Sequence, residues 1–247
     1  MTALVWDNLE RRYPLRRDRP ETWTSQRIYG LHALDKSVTF QEIGSAKVCQ
    51  MLDDVLGSGN WQRPARWGSL LITFPESTGR WDVPYTSWHL DLPASGSLAE
   101  LPAMRLFTCL QPLHHGVGAT LVVAGSHLLV KKLVQRNAGR QLRSADVREA
   151  LIRSYPWMRA LCSRSETADR IGRFMDVSAA AVDGSALRVI EMTGEAGDVF
   201  LVHPFILHAP SPNCGDVPRM VLSSFVYRNG MKTSRGTGPH DALFANK

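Results

Sequence analysis

Cysteine is scarce in this chain and is not arranged to pair. The four cysteines, Cys49, Cys109, Cys162 and Cys214, are spread along 247 residues and form no C-x-x-C unit. That pattern excludes a disulfide scaffold or a zinc knuckle and predicts reduced thiols in a cytoplasmic protein. Long apolar runs are missing too. None approaches the roughly 18 residues of a membrane span, so no membrane role is expected. The first residues, MTALVWDNLERRYPLRRDR, lack a basic stretch followed by an apolar one, and no secretory signal is read there. Gly 19 and Pro 14 are too few for a collagen-like or low-complexity chain. Internal repeats and linkers are absent.

What remains is ordinary globular composition, with 44% hydrophobic and 21% charged residues. A chain of this length buries roughly 70% of its unfolded surface, so its fold needs no covalent or metal staple. A prior of roughly 150 residues per domain leaves a choice between one domain and two. The net charge is +6 and the pI about 9.4. Such a balance raises a nucleic-acid partner. Its distribution speaks against one. The clusters Arg11, Arg12, Arg16, Arg17, Arg19 and Lys131, Lys132, Arg136, Arg140, Arg143 sit in no helix-turn-helix, zinc-finger or RNP-like pattern. A solvated basic face, or an anionic small-molecule substrate, fits better.

Residues 1–40 read as irregular. Ser45 to Leu56 reads as a helix, because Val48, Met51, Leu52, Val55 and Leu56 form an apolar stripe and Gly57 follows as a stop. Short strand-like runs follow at Trp67–Phe74, Ser87–Leu92, Met104–Leu110, Thr120–Val123, Leu187–Met192, Val199–Val202 and Arg219–Tyr227. Helix signals interrupt them at 144–162, with Ser144 expected as N-cap and Pro156 as a break. Short strands without β-α-β alternation predict a mainly β fold with flanking helices, an antiparallel sandwich or jelly roll. Six of the seven tryptophans precede residue 90. Most read as core; Trp81 and Trp88 are candidates for a substrate pocket because they bracket His89.

His89 and Asp91 stand in W-H-L-D. On a strand, residues i and i+2 share a face, so imidazole and carboxylate reach one point. Imidazole plus carboxylate suits a borderline metal such as Fe(II), Mn(II) or Zn(II), and a further histidine would complete a two-His-one-carboxylate triad, whose open positions are what oxygen activation needs. H-x-D alone is a weak signal. The C-terminal stretch Gly197-Asp198, His203-Pro204, Leu207-His208, Pro212-Asn213 and Arg219 strengthens it, as does the block Gly118 to His127, which reads GATLVVAGSH.

With these three blocks in this order, the chain from about Trp67 to Tyr227 resembles the phytanoyl-CoA dioxygenase family of Fe(II)/2-oxoglutarate oxygenases. The resemblance implies a double-stranded β-helix (cupin-like jelly roll) core. It implies Fe(II) held by His89, Asp91 and His208, with 2-oxoglutarate and O2 as cosubstrates. Arg219 would anchor the far carboxylate of 2-oxoglutarate, as a guanidinium can with two parallel N–H groups. Thr120 and Ser223 are candidates to add hydroxyl donors. The implied reaction hydroxylates an unactivated C–H bond of a small, biosynthetic or lipid-like molecule and releases succinate and CO2. His203 competes with His208 for the last ligand place, but fills an "H-P" slot that is not a ligand in the family. His127 reads as a hydrogen-bonded loop histidine; His32, His114, His115 and His240 receive no role. Two departures concern the substrate class: Ala124 replaces the usual proline before G-S-H, and Gln111 to Gly118 replaces the usual N-G turn. Related halogenases lack a carboxylate at the position of Asp91, so its presence speaks for hydroxylation.

Ligands from both halves imply one domain, 1–247, with an N-terminal region of about 1–66 and a helical insertion at about 131–175. That insertion is expected to act as a lid whose arginines meet an anionic substrate. A non-catalytic cupin-like binding protein and an oxygenase acting on nucleic acid are the alternatives.

Overall fold

A computed structural model describes residues 1–23, 28, 31–76, 80–94, 101–137, 140–164, 169–180 and 186–230. Among the described residues, eight strands form two antiparallel sheets. The first joins β1 (Ser69–Thr73), β8 (Arg219–Tyr227), β2 (Ala103–Cys109) and β6 (Val199–Val202), in that order. The second joins β4 (Ala179–Ala180), β5 (Ala186–Glu191), β3 (Thr120–Ala124) and β7 (His208–Pro210).

The period-two alternation of the strands assigns their side chains to layers. From β8 and β2, Met220, Leu222, Val226, Met104 and Leu106 pack outward against helices α1 (Thr2–Arg12) and α3 (Ala46–Leu56). Their neighbours Val221, Phe107 and Cys109 turn inward and meet Val122 of β3 between the sheets. The outer face of the second sheet is covered by α4 (Ser126–Arg136), α5 (Ser144–Ser154) and α6 (Pro156–Leu161), through Leu129, Val130, Leu151 and Met158 against Leu121, Val123 and Val189. Two sheets thus face one another, each backed by helices. No helix among the described residues is long and apolar enough to cross a membrane.

Helix α3 forms where its apolar stripe predicts. The Ser45 hydroxyl accepts the Val48 N–H, and Gly57 ends the helix at φ +89°. Pro156 separates α5 from α6 as expected. Four expectations need correction. Residues 1–40 are not irregular throughout, since Thr2–Arg12 forms α1. Ser87–Leu92 is no strand: Ser87 has φ +65°, and the segment pairs only at His89. A positive φ at a non-glycine residue kinks the chain out of the extended form. The N-cap of α5 is Arg143, whose N–H donates to Asp146; the Ser144 hydroxyl instead accepts the Leu90 N–H at 2.8 Å. The G-S-H block is a helix start rather than a loop. Gly125 takes φ +82° against the carbonyl of Ala186, where a Cβ would stand 2.5 Å from that oxygen, and α4 begins at Ser126.

Candidate metal centre

His89 and His208 come together because their backbones bridge. The His89 N–H donates to the His208 carbonyl at 3.0 Å, and the His208 N–H returns the bond at 3.1 Å. Each partner is pinned from behind. Ser144 holds Leu90 on one side, and the buried Ser126 hydroxyl accepts the Leu207 N–H at 2.9 Å on the other.

Both imidazoles are oriented by carbonyls. Nδ1 of His89 lies 2.7 Å from the Ser87 carbonyl, and Nδ1 of His208 lies 3.2 Å from that of Ile206. A carbonyl only accepts, so Nδ1 carries the proton and Nε2 presents its lone pair. Those lone pairs face Asp91: His89 Nε2 is 3.6 Å from Oδ1 and His208 Nε2 is 3.2 Å from Oδ2. One ligand atom from each of the three lies within 4.8 Å of the others, a spacing that a single metal ion can bridge. Asp91 Oδ2 is buried without a hydrogen bond. A carboxylate that faces one imidazole lone pair with each oxygen, and whose Oδ2 is orphaned, fits a divalent cation. Burial opposes ionisation of Asp91, yet with the imidazoles of His208 and His89 protonated at Nε2, as donors in place of a metal, they and the Arg105 charge outweigh it and hold the carboxyl well below its usual range.

The structure places Arg219 at the start of β8, buried in the inner face. Its Nη2 donates to the Thr120 hydroxyl at 2.9 Å, while its Nε has no partner. Burial pushes its pKa down to about 10. Asn213 prepares this position. Its side chain spans the turn between β7 and β8, donating to the carbonyls of Thr73 and Val217, both at 2.9 Å. Gly118 lets that turn approach, since a Cβ there would stand 3.0 Å from Asn213 Cβ at φ +83°. Ser223 shares the inner face with Arg219, and its buried hydroxyl has no partner.

Other candidates fall elsewhere. His203 is separated from His208 by a turn that its own carbonyl closes on the Ile206 N–H. Its Nδ1 accepts the Phe205 N–H at 3.1 Å, its ring lies 4.9 Å from that of His127, and burial lowers its pKa to about 4. His127 sits in the first turn of α4, and its Nδ1 has no hydrogen bond. Trp88 is 1% exposed, with its indole N–H on the Pro84 carbonyl, and Trp81 packs on the His115 ring; both belong to the core cluster under α4 to α6. His115 pairs with Glu191 at 2.6 Å. The side chain of His32 and the whole of His240 lie outside the described residues. Arg143 is exposed and paired with Asp146, so it does not serve as a free anion receptor.

Arg105 was not singled out by the sequence. It projects from β2 into the inner face, with Nε 3.2 Å from Asp91 Oδ2. The one available signal was a charge in the middle of the apolar strand A-M-R-L-F-T-C.

A family model described as Phytanoyl-CoA dioxygenase (PhyH) matches residues 11–221. The chain belongs to this family. The PhyH match begins well before Trp67 and includes helix α3, while most of α1 precedes it. No curated protein matches the chain. Among solved structures, one titled as the crystal structure of EvdMO1 is similar at 16% identity and TM-score 0.41, covering 76% of this chain and 32% of that one. Another, titled as the apo non-heme monooxygenase ThoJ, is similar at 14% identity and TM-score 0.38, covering 74% of this chain and 52% of that one. The chain therefore spans about a third and about half of their lengths.

Proposed function

We propose that this PhyH-family chain is an Fe(II)- and 2-oxoglutarate-dependent oxygenase that hydroxylates a C–H bond of a small molecule, with succinate and CO2 as co-products. The two facing sheets are read as a double-stranded β-helix forming one catalytic domain. His89, Asp91 and His208 would hold the metal. Arg219, with Thr120 and Ser223 beside it, would receive the far carboxylate of 2-oxoglutarate. When bound, iron and 2-oxoglutarate supply the oxygen-activating chemistry.

The observation that carries this reading is Arg219. A fully buried guanidinium with one hydroxyl partner, and no carboxylate partner among the described residues, is costly to keep. A dicarboxylate that also reaches the metal offsets that cost. The residues of the chain do the rest. The carbonyls of Ser87 and Ile206 hold both imidazoles in the metal-binding tautomer. Phe107, edge-on to His208 at 6.2 Å, and Val122 keep the inner face apolar and limit water.

The test is succinate release from 2-oxoglutarate under air with Fe(II) and ascorbate, across candidate substrates. Release that requires both Fe(II) and 2-oxoglutarate is expected. Tight iron binding with no 2-oxoglutarate binding would overturn the assignment.

A further inference from the structure

Two arginines are buried on the inner face of the first sheet, Arg219 and Arg105. The proposed reaction uses only the first. They approach the triad from opposite sides. Arg219 reaches Thr120, which lies two residues along β3 from Val122, the partner of His208. Arg105 pairs in register with Phe225, six residues further along β8 than Arg219, or roughly 20 Å at strand rise. Its guanidinium rests 4.5 Å from the Phe225 ring and 5.2 Å from the Phe107 ring. Its Nε lies near Asp91 Oδ2, but the N–H direction misses the oxygen, and neither atom has a hydrogen bond.

The charges in this space do not cancel. Among the described residues, one carboxylate, Asp91, is paired with either arginine. One negative charge therefore faces two positive ones. A ferrous ion and the dianion of 2-oxoglutarate cancel each other and leave the excess unchanged. Metal coordination also draws on the Asp91 charge that compensates Arg105. A buried cation so exposed needs an anion.

We infer that the substrate carries a carboxylate, seated on Arg105 beside Asp91, on the side of the metal away from Arg219. This rests on the oxygenase reading and names the substrate class for it. A guanidinium stacked on aromatic rings donates in its own plane, and a planar carboxylate accepts two such N–H groups side by side. The rings of Phe107 and Phe225 then give the adjoining part of the substrate an apolar seat. A guanidinium keeps its charge in protein interiors, so Arg105 is the cation of this part of the site.

The experiment uses the full chain loaded with Mn(II) and 2-oxoglutarate without oxygen. Phenylacetate, hexanoate and N-acetyl-leucine are titrated against their own amides by calorimetry. At least one acid is expected to bind about tenfold or more tighter than its amide. In Arg105→Leu, with Mn(II) kept saturating, that preference falls to about twofold or less, while 2-oxoglutarate affinity stays within about threefold. Arg105→Lys keeps the charge and a reduced preference, which covers the case in which the leucine variant folds poorly. Equal binding of acids and amides across the panel overturns the inference. So does a preference that survives in Arg105→Leu while metal affinity falls, since Arg105 would then only position Asp91. Failure of the oxygenase reading shows separately, as wild-type protein that binds no 2-oxoglutarate in the presence of Mn(II).

Discussion

His89 and His208 exchange both backbone hydrogen bonds, at 3.0 and 3.1 Å, although the first stands in an irregular segment and the second opens strand β7. The proposed ligands are thereby fixed by main chain before any metal arrives. What tunes them is the set of groups just behind, and these are open to test.

Asp91→Asn keeps the shape of the ligand and removes its charge. Metal affinity should fall by more than the roughly 10–100-fold that outer partners cost. The variant should also melt lower, because Arg105 loses its ion-pair partner in a buried site; breaking such pairs costs about 3–5 kcal/mol. Calorimetric metal titration and a thermal melt read the two effects. Wild-type metal affinity in this variant would remove Asp91 from the triad.

Arg219→Leu should weaken 2-oxoglutarate binding by roughly 10-fold or more, the worth of a charge-assisted hydrogen bond. The unliganded variant should melt higher than wild type, because the cation it removes is buried without a carboxylate partner among the described residues. A lower melting temperature together with unchanged 2-oxoglutarate affinity would mean that Arg219 is structural.

Ser144→Ala removes the acceptor for the Leu90 N–H, between His89 and Asp91. Leaving that donor unpaired costs about 1–3 kcal/mol, and metal affinity should fall with it. Ser144→Thr should restore most of both. Equal metal affinity in Ser144→Ala and wild type would show that the Leu90 anchor is dispensable.

His203 makes stability depend on pH. Its folded pKa is about 4 against an ordinary 6.5, and Nδ1 must stay unprotonated to accept the Phe205 N–H. The unfolded chain then binds the proton first, so stability rises with pH between about 4 and 6.5 and is fully present above that window. Melting temperature measured across this range should show a shallower slope in His203→Gln. An identical slope would assign the dependence to another group.

Much of this was legible because local patterns decide it. The stripe Val48, Leu52, Leu56 made a helix, and β6 and β8 occupy the runs Val199–Val202 and Arg219–Tyr227 that alternation marked. His89, Asp91, His208 and Arg219 were named from motif order; ligand atoms of the first three lie within 4.8 Å of one another, and Arg219 meets Thr120. His89 and Asp91 do not meet by strand alternation. They converge without a strand, through the kink at Ser87 and the bridge to His208. Ser144 and Ser126 were invisible as anchors, because each holds a backbone N–H more than fifty residues away. Arg105 was passed over for the same reason, since only the tertiary fold gives it Asp91 as a neighbour. Trp81 and Trp88 looked like pocket walls because they flank His89 in sequence, but the helices over the second sheet take them into the core.

The distance in sequence between the bridged histidines has one more consequence. A metal held by both ties positions 89 and 208, 119 residues apart, into a single ring. In the chain-entropy view, cross-linking a loop of about this length removes roughly 4–5 kcal/mol of freedom from the unfolded chain. Metal bound there would act as a reversible staple for the whole domain as well as a reagent. A chelator would then lower cooperative melting of both sheets together, and cellular iron supply would set how long the protein survives as well as how fast it works.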